Sequence, residues 1–166
     1  MTRWFSGVML TAAIALPALS SAARAGGGDD FGCSNETLKG EYAFGVTAYT
    51  PTYPPQVVAG IKVFDGQGNL TQRDYIGDSV PAEFSPPGRE TGTYTVNPDC
   101  TGSMMINLNA PVPTGSTGVI KILFVISHGG RHIHEVVSEF TPPGSTEPQA
   151  NQTSADDWKV ASEKDH

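Results

Sequence analysis

The stretch Gly118–Phe140, GVIKILFVISHGGRHIHEVVSEF, predicts the fold of the chain. Two runs rich in β-branched residues are joined at Gly129-Gly130, and glycine adopts the positive φ angles of tight hairpin turns without a steric penalty. The first run is apolar on both faces, which is typical of a strand that is covered on both sides or lines the lumen of a barrel. We therefore interpret the stretch as a central β-hairpin.

Three of the four histidines of the chain lie in this hairpin, at His128, His132 and His134. Because side chains alternate along a strand with a period of two, His132 and His134 share one face with Val136 and Phe140. The opposite face carries three charged side chains, which indicates contact with water. We therefore expect the two histidines to point inward.

The register of the hairpin leaves a second orientation open. A two-residue turn at Gly129-Gly130 pairs Val125 with His134 and Phe124 with Glu135, which sets Glu135 beside the more apolar face of the first strand. A bulge or a longer turn shifts the register by one residue and reverses this result.

Outward from the hairpin, alternating apolar positions and turn residues predict further strands, while no segment shows a helical period. These strands are Leu38–Tyr49, Val57–Phe64, Leu70–Ile76, Glu90–Val96 and Met104–Leu108. Short strands in sequential hairpins favour up-and-down order, and closing the sheet removes its exposed edges. We predict an all-β fold, a small antiparallel up-and-down β-barrel of about seven or eight strands, whose interior is filled or holds one small ligand.

The first residues of the chain have the composition of a leader. Arg3 supplies a positive charge, Gly7–Leu19 is apolar but short, and Ala23-Arg24-Ala25 is a small-x-small cleavage site. These features predict a secretory signal peptide over residues 1–25, cleaved after Ala25, and a periplasmic or secreted protein.

The last residues also differ from the centre of the chain. Thr141–His166 holds three prolines and few large apolar side chains. This composition predicts a disordered polar tail, so the barrel domain is expected to span residues 26–140.

Charge and cysteine content narrow the functional classes. The chain has 17 acidic and 10 basic residues, a net charge of −7, and a nucleic-acid binder must supply cations to phosphates. No segment after the leader is long and apolar enough for a membrane span, so we expect neither nucleic-acid binding nor membrane insertion. Cys33 and Cys100 are the two cysteines, and in an exported protein such a pair predicts one disulfide.

Several short blocks together resemble a known group of proteins. They are Cys33 with LKGEYAF at Leu38–Phe44, FDGQGNL at Phe64–Leu70, GTYTVNPDCTG at Gly92–Gly102, and Gly129-Gly130-Arg131. Over about residues 33–140 the chain resembles a widespread group of small exported bacterial β-barrel proteins of the calycin or allene-oxide-cyclase-like type. The resemblance implies the barrel and no activity. Such chains usually continue past the hairpin with a further apolar strand, whereas a proline-rich polar segment follows here.

Three functions are compatible with these features. The first is binding of a small apolar or amphipathic ligand in the lumen, with His132, His134, Tyr42 and Phe44 as contacts. The second is a metal-binding protein or metal-dependent enzyme in which His128, His132 and His134 hold a divalent ion. The third is a structural envelope or extracellular protein without a small ligand. The sequence contains no G-x-S-x-G motif, no catalytic residues are assigned, and a non-enzymatic role without a resident cofactor is favoured.

Overall fold

The structure is a computed structural model that describes residues 32–51, 55–76, 84–109 and 117–160. The predicted signal peptide, residues 1–25, lies outside the described residues and stays a prediction. Within the described ranges, no helix has the length and apolar character needed to cross a membrane.

A short 3₁₀-helix, Asn35–Leu38, precedes a barrel of eight antiparallel strands in the described part of the chain. The strands are β1 Gly40–Tyr49, β2 Gln56–Phe64, β3 Asn69–Ile76, β4 Glu90–Val96, β5 Thr101–Asn109, β6 Thr117–Ser127, β7 His132–Thr141 and β8 Gln152–Lys159. Each strand pairs with the next, and β8 pairs with β1, so the sheet is closed. The predicted all-β, up-and-down barrel is confirmed.

The C-terminal segment is the largest difference from the sequence-based prediction. The disordered tail predicted for Thr141–His166 is wrong over Gln152–Lys159, which form β8 and pair with both β1 and β7. The barrel therefore extends beyond the predicted boundary at residue 140. Burial alternates along β8, but its two buried positions hold Ala155 and Asp157, so the strand lacks the large apolar side chains that mark the others.

The β6–β7 hairpin has the register of a tight turn, with Phe124 opposite Glu135 and Val125 opposite His134. Its bulge lies further along the strands and does not alter the pairing near the turn. Glu135 is buried inside the barrel, whereas His134 is exposed. The predicted inward orientation of His132 and His134 is therefore wrong, because side chains on alternate positions face opposite sides.

The end of the barrel near this turn is filled by an aromatic core. The rings of Tyr42 and Tyr94 pack edge-to-face against Phe64, with centroid distances of 5.3 and 5.0 Å. The Tyr94 hydroxyl accepts a hydrogen bond from the Gly66 amide and donates one to the Asn35 carbonyl, each at 3.0 Å. The buried hydroxyls thus have partners, as burial of a polar group requires.

A disulfide fixes the start of the described chain to this packed end. Cys33 is bonded to Cys100 in the turn between β4 and β5, and the Cys33 amide also donates to the Pro98 carbonyl at 3.2 Å. The predicted disulfide is present. Its loop closure removes conformational freedom from the unfolded chain, an effect of about 4 kcal/mol in the chain-entropy model.

The connections at the two ends of the barrel differ in length. Those beside the aromatic core are residues 65–68, 97–100 and 128–131. Those at the opposite end are longer: residues 50–55, 77–89, 110–116 and 142–151.

Removal of β8 is expected to destroy the cooperative fold. A chain that ends after Gly144 lacks β8, which leaves β1 and β7 as unpaired edges. We expect its thermal transition, followed by far-ultraviolet circular dichroism, to be lost or to move far below that of a chain ending after Val160, which keeps every described strand. Equal melting temperatures for the two chains would contradict the closure.

Candidate functional site

The half of the barrel away from the aromatic core encloses a cavity of about 560 Å³. Its walls are largely apolar, and its lining includes Phe44, Val46, Ile106, Ile120, Val137 and Phe140. Phe44 lies over Gly60, where a Cβ atom would collide with the ring and with the backbone of β3. The glycine therefore makes room for an aromatic side chain in the lumen.

Three charged side chains meet inside the barrel. The Lys62 ammonium donates to both carboxylate oxygens of Glu135 at 2.6 Å and to Asp157 Oδ2 at 3.0 Å. All three residues are buried. They come from β2, β7 and β8, so this ion triad connects the second strand to the last two from within the lumen.

Burial and charge set the protonation of the triad. Burial lowers the pKa of Lys62, but the opposing charges of Glu135 and Asp157 outweigh it and hold that pKa above the usual value. Burial raises the pKa of Asp157 to about 8, with the charge of Glu135 adding to the shift and Lys62 opposing it. The raised pKa of Asp157 means that this carboxyl holds its proton more strongly than a free aspartate does.

A second polar cluster lies at the cavity wall on β3 and β4. Gln72 Nε2 donates to Glu90 Oε2 at 3.0 Å and has a long contact of 3.5 Å with Asp74 Oδ2. The Gln72 Oε1 atom is buried and has no hydrogen-bond partner among the described residues. The cluster therefore holds more acceptors than donors.

The two acids of this cluster, Asp74 and Glu90, are both buried. Burial raises the pKa of Glu90 to about 7, with the neighbouring charge of Asp74 adding to the shift and with Gln72, Ser85 and Arg89 opposing it. Burial likewise raises the pKa of Asp74. Arg89 is exposed and lines the cavity beside the acids, so the pair lacks a buried cation of the kind that the triad has.

A third cluster lies on the outer face of the barrel. His132 Nε2 and His134 Nδ1 lie 3.1 and 2.8 Å from the same atom, Asp156 Oδ1. The His132 ring stacks on Trp158 with a centroid distance of 3.7 Å. The His128 ring lies 6.1 Å from that of His132, and Asp156, not His128, completes the group of three ligand atoms that could share one ion.

The residues predicted as ligand contacts separate into three places. Phe44 lines the cavity. Tyr42 points inward but belongs to the aromatic core, where its hydroxyl donates to the Gly130 carbonyl. His132 and His134 are absent from the cavity lining, as their outward orientation requires.

The polar groups of the lumen were not predicted from the sequence. They are Lys62, Gln72, Asp74, Glu90, Glu135 and Asp157. The sequence does contain one signal of these groups, which is a polar side chain on the apolar face of a strand. Lys62 shares its strand face with Val58 and Phe64, and Gln72 shares its face with Leu70. A charged or amide side chain on an otherwise apolar face marks a buried polar site.

The Glu90 carboxyl is expected to make stability depend on pH. Its pKa is raised from 4.5 to about 7, so the native state binds a proton that the unfolded chain releases, and stability falls as pH rises through this interval. The free energy of unfolding is measured with urea at pH 5 and at pH 8. Its decrease from pH 5 to pH 8 should be smaller in Glu90→Gln than in the wild type. Glu41→Gln, which changes an exposed carboxylate on β1, should keep the wild-type difference. A wild-type pH dependence in Glu90→Gln would contradict the shifted pKa.

Comparisons with known proteins give one partial likeness. No family model matches the sequence, and no curated protein matches it. Among solved structures, the S-type phycobiliprotein lyase CPES from Guillardia theta has a TM-score of 0.48 at 6% sequence identity, covering 78% of this chain and 92% of that chain. The closed antiparallel barrel is shown by the order of the eight strands themselves, and function follows from a site and not from a fold.

Proposed function

We propose that the protein binds a small amphipathic molecule inside the barrel. The observation that carries the proposal is the cavity of about 560 Å³ with mainly apolar walls. Ligand pockets have volumes of about 300–1,000 Å³ and combine apolar walls with a few placed polar groups. An eight-stranded barrel is also just wide enough to hold one small ligand.

The charges of the lumen support a particular orientation of this molecule. The Lys62 ammonium is already satisfied by Glu135 and Asp157, so it offers little to an anionic ligand. Asp74 and Glu90 instead have raised pKa values because they are buried close together. A hydrogen-bond donor or a cation beside them would allow both to ionise. The polar end of the ligand therefore faces these two acids.

The apolar end of the ligand then packs against the walls on the other strands. Val46 of β1, Ile120 of β6 and Val137 of β7 line the same cavity as the two acids. Burial of apolar surface contributes about 25 cal/mol per Å², which supplies most of the affinity. The predicted export accords with a secreted or periplasmic binding protein.

Filling the cavity should prevent binding of an apolar probe. Ala48 lines the cavity, and Ala48→Trp places a large ring in that space. The affinity for N-phenyl-1-naphthylamine, followed by its fluorescence, should fall by about tenfold or more, or about 1.4 kcal/mol. Ala59→Trp is the matched control, because Ala59 is an exposed residue on the neighbouring strand, and it should bind as the wild type does. If the wild type binds no such probe, the structural role without a ligand is the better reading.

The acids should make the cavity prefer an amine to an alcohol of the same length. Octylamine is expected to displace the probe at about tenfold lower concentration than octanol, because a charge-assisted hydrogen bond contributes about 1.5–3 kcal/mol. The double variant Asp74→Asn, Glu90→Gln should lose this preference while octanol displacement stays unchanged. Glu41→Gln controls for a general change in surface charge. Equal displacement by the two compounds in the wild type would refute the orientation but not the binding of an apolar molecule.

A further inference from the structure

The outer face of the barrel carries a cluster that the lumen does not use. His132 and His134 are two residues apart on β7 and therefore face the same side. Strand pairing places Trp158 opposite His132 and Asp156 opposite His134 on β8. Four side chains from two neighbouring strands thus occupy one patch of the outer wall.

The ligand atoms of this patch converge on one point. His132 Nε2 and His134 Nδ1 approach Asp156 Oδ1 at 3.1 and 2.8 Å, and all three atoms lie within 4.8 Å of one another. Zinc binds imidazole nitrogen and carboxylate oxygen at about 2.0–2.2 Å, which separates the ligand atoms of a tetrahedral site by about 3.3 Å. The two nitrogen–oxygen distances are within about 0.5 Å of this separation, and the two nitrogens lie within 4.8 Å of each other. Rotation of the exposed His134 and Asp156 side chains would admit an ion between these atoms.

We propose that His132, His134 and Asp156 bind one divalent transition-metal ion, such as zinc, on the outer wall of the barrel. Imidazole nitrogens suit zinc, copper and nickel, while the harder cations magnesium and calcium take oxygen ligands. The donor set of two nitrogens and one oxygen therefore favours zinc, copper or nickel over magnesium or calcium. This proposal is independent of the ligand proposed for the lumen, because neither histidine lines the cavity.

The surroundings hold one ligand in place and leave the ion accessible. The His132 side chain is 8% exposed and stacks on Trp158, so its ring has little freedom to lose on binding. The side chains of His134 and Asp156 are 55% and 60% exposed. Water can therefore reach the ion and complete its coordination, as in open zinc sites with three protein ligands.

The ion would also join β7 to β8, the strand that closes the barrel. A ligand that binds only the native state stabilises it by mass action. Addition of Zn²⁺ should therefore raise the melting temperature of the wild type, and removal of the ion with a chelator should reverse the change.

Calorimetric titration with Zn²⁺, on protein without a histidine tag, tests the site. We expect one ion per chain, with affinity lowered by about tenfold or more in His134→Ala and in Asp156→Asn, since even outer-shell partners of a metal contribute this much. Both replaced side chains are exposed, and circular dichroism checks that the barrel persists. His128→Asn is the matched control, because asparagine tolerates the positive φ of 53° at that turn position, and it should bind Zn²⁺ as the wild type does.

Three results would overturn the proposal. The first is a wild type that shows no saturable Zn²⁺ binding and no rise in melting temperature. The second is wild-type affinity in folded His134→Ala or folded Asp156→Asn. The third is loss of binding in His128→Asn, which would assign the third ligand to the turn and not to Asp156.

Discussion

The ion triad of Lys62, Glu135 and Asp157 is the interaction on which closure of the barrel depends. β8 brings few apolar side chains to the lumen, and its one fully buried position is Asp157. Removing one partner from a buried ion pair typically costs about 3–5 kcal/mol, because the remaining charge is left without compensation. A slip of β8 by one residue that puts Trp158 at the position of Asp157 would carry this acid to the outer wall and leave Lys62 with a single partner. The triad therefore disfavours this alternative register of the closing strand, which apolar packing alone would leave weakly defined.

The lumen contains two groups of charges with opposite consequences. The triad contains its own buried cation, because the Lys62 ammonium contacts both Glu135 and Asp157. The pair Asp74 and Glu90 has no such cation among the described residues, and its raised pKa values reflect this environment. Under the proposed function, the triad serves the stability of the barrel, and Asp74 and Glu90 serve recognition of the ligand.

The sequence predicted the features that depend on local pattern. Seven strands, their up-and-down order and the Cys33–Cys100 disulfide follow from alternation, turn residues and cysteine content, and all of them are present. Long-range features were missed. The sequence predicts a tail in place of β8 because the inward positions of this strand hold Thr153, Ala155 and Asp157. The inward orientation predicted for His132 and His134 assumes that the charged face of a strand meets water. This assumption fails here because Glu135 has a buried lysine partner from a distant strand.

The unequal connections at the two ends of the barrel affect how well each end can accept an insertion. The packed end combines the disulfide, the tyrosine hydroxyl contacts and the shortest turns, so an insertion there would disturb many contacts at once. The cavity end has the longer connections, and lengthening a surface loop carries only a small entropic penalty. Insertions are therefore expected to be tolerated better in the connections at the cavity end than in the turns at the packed end.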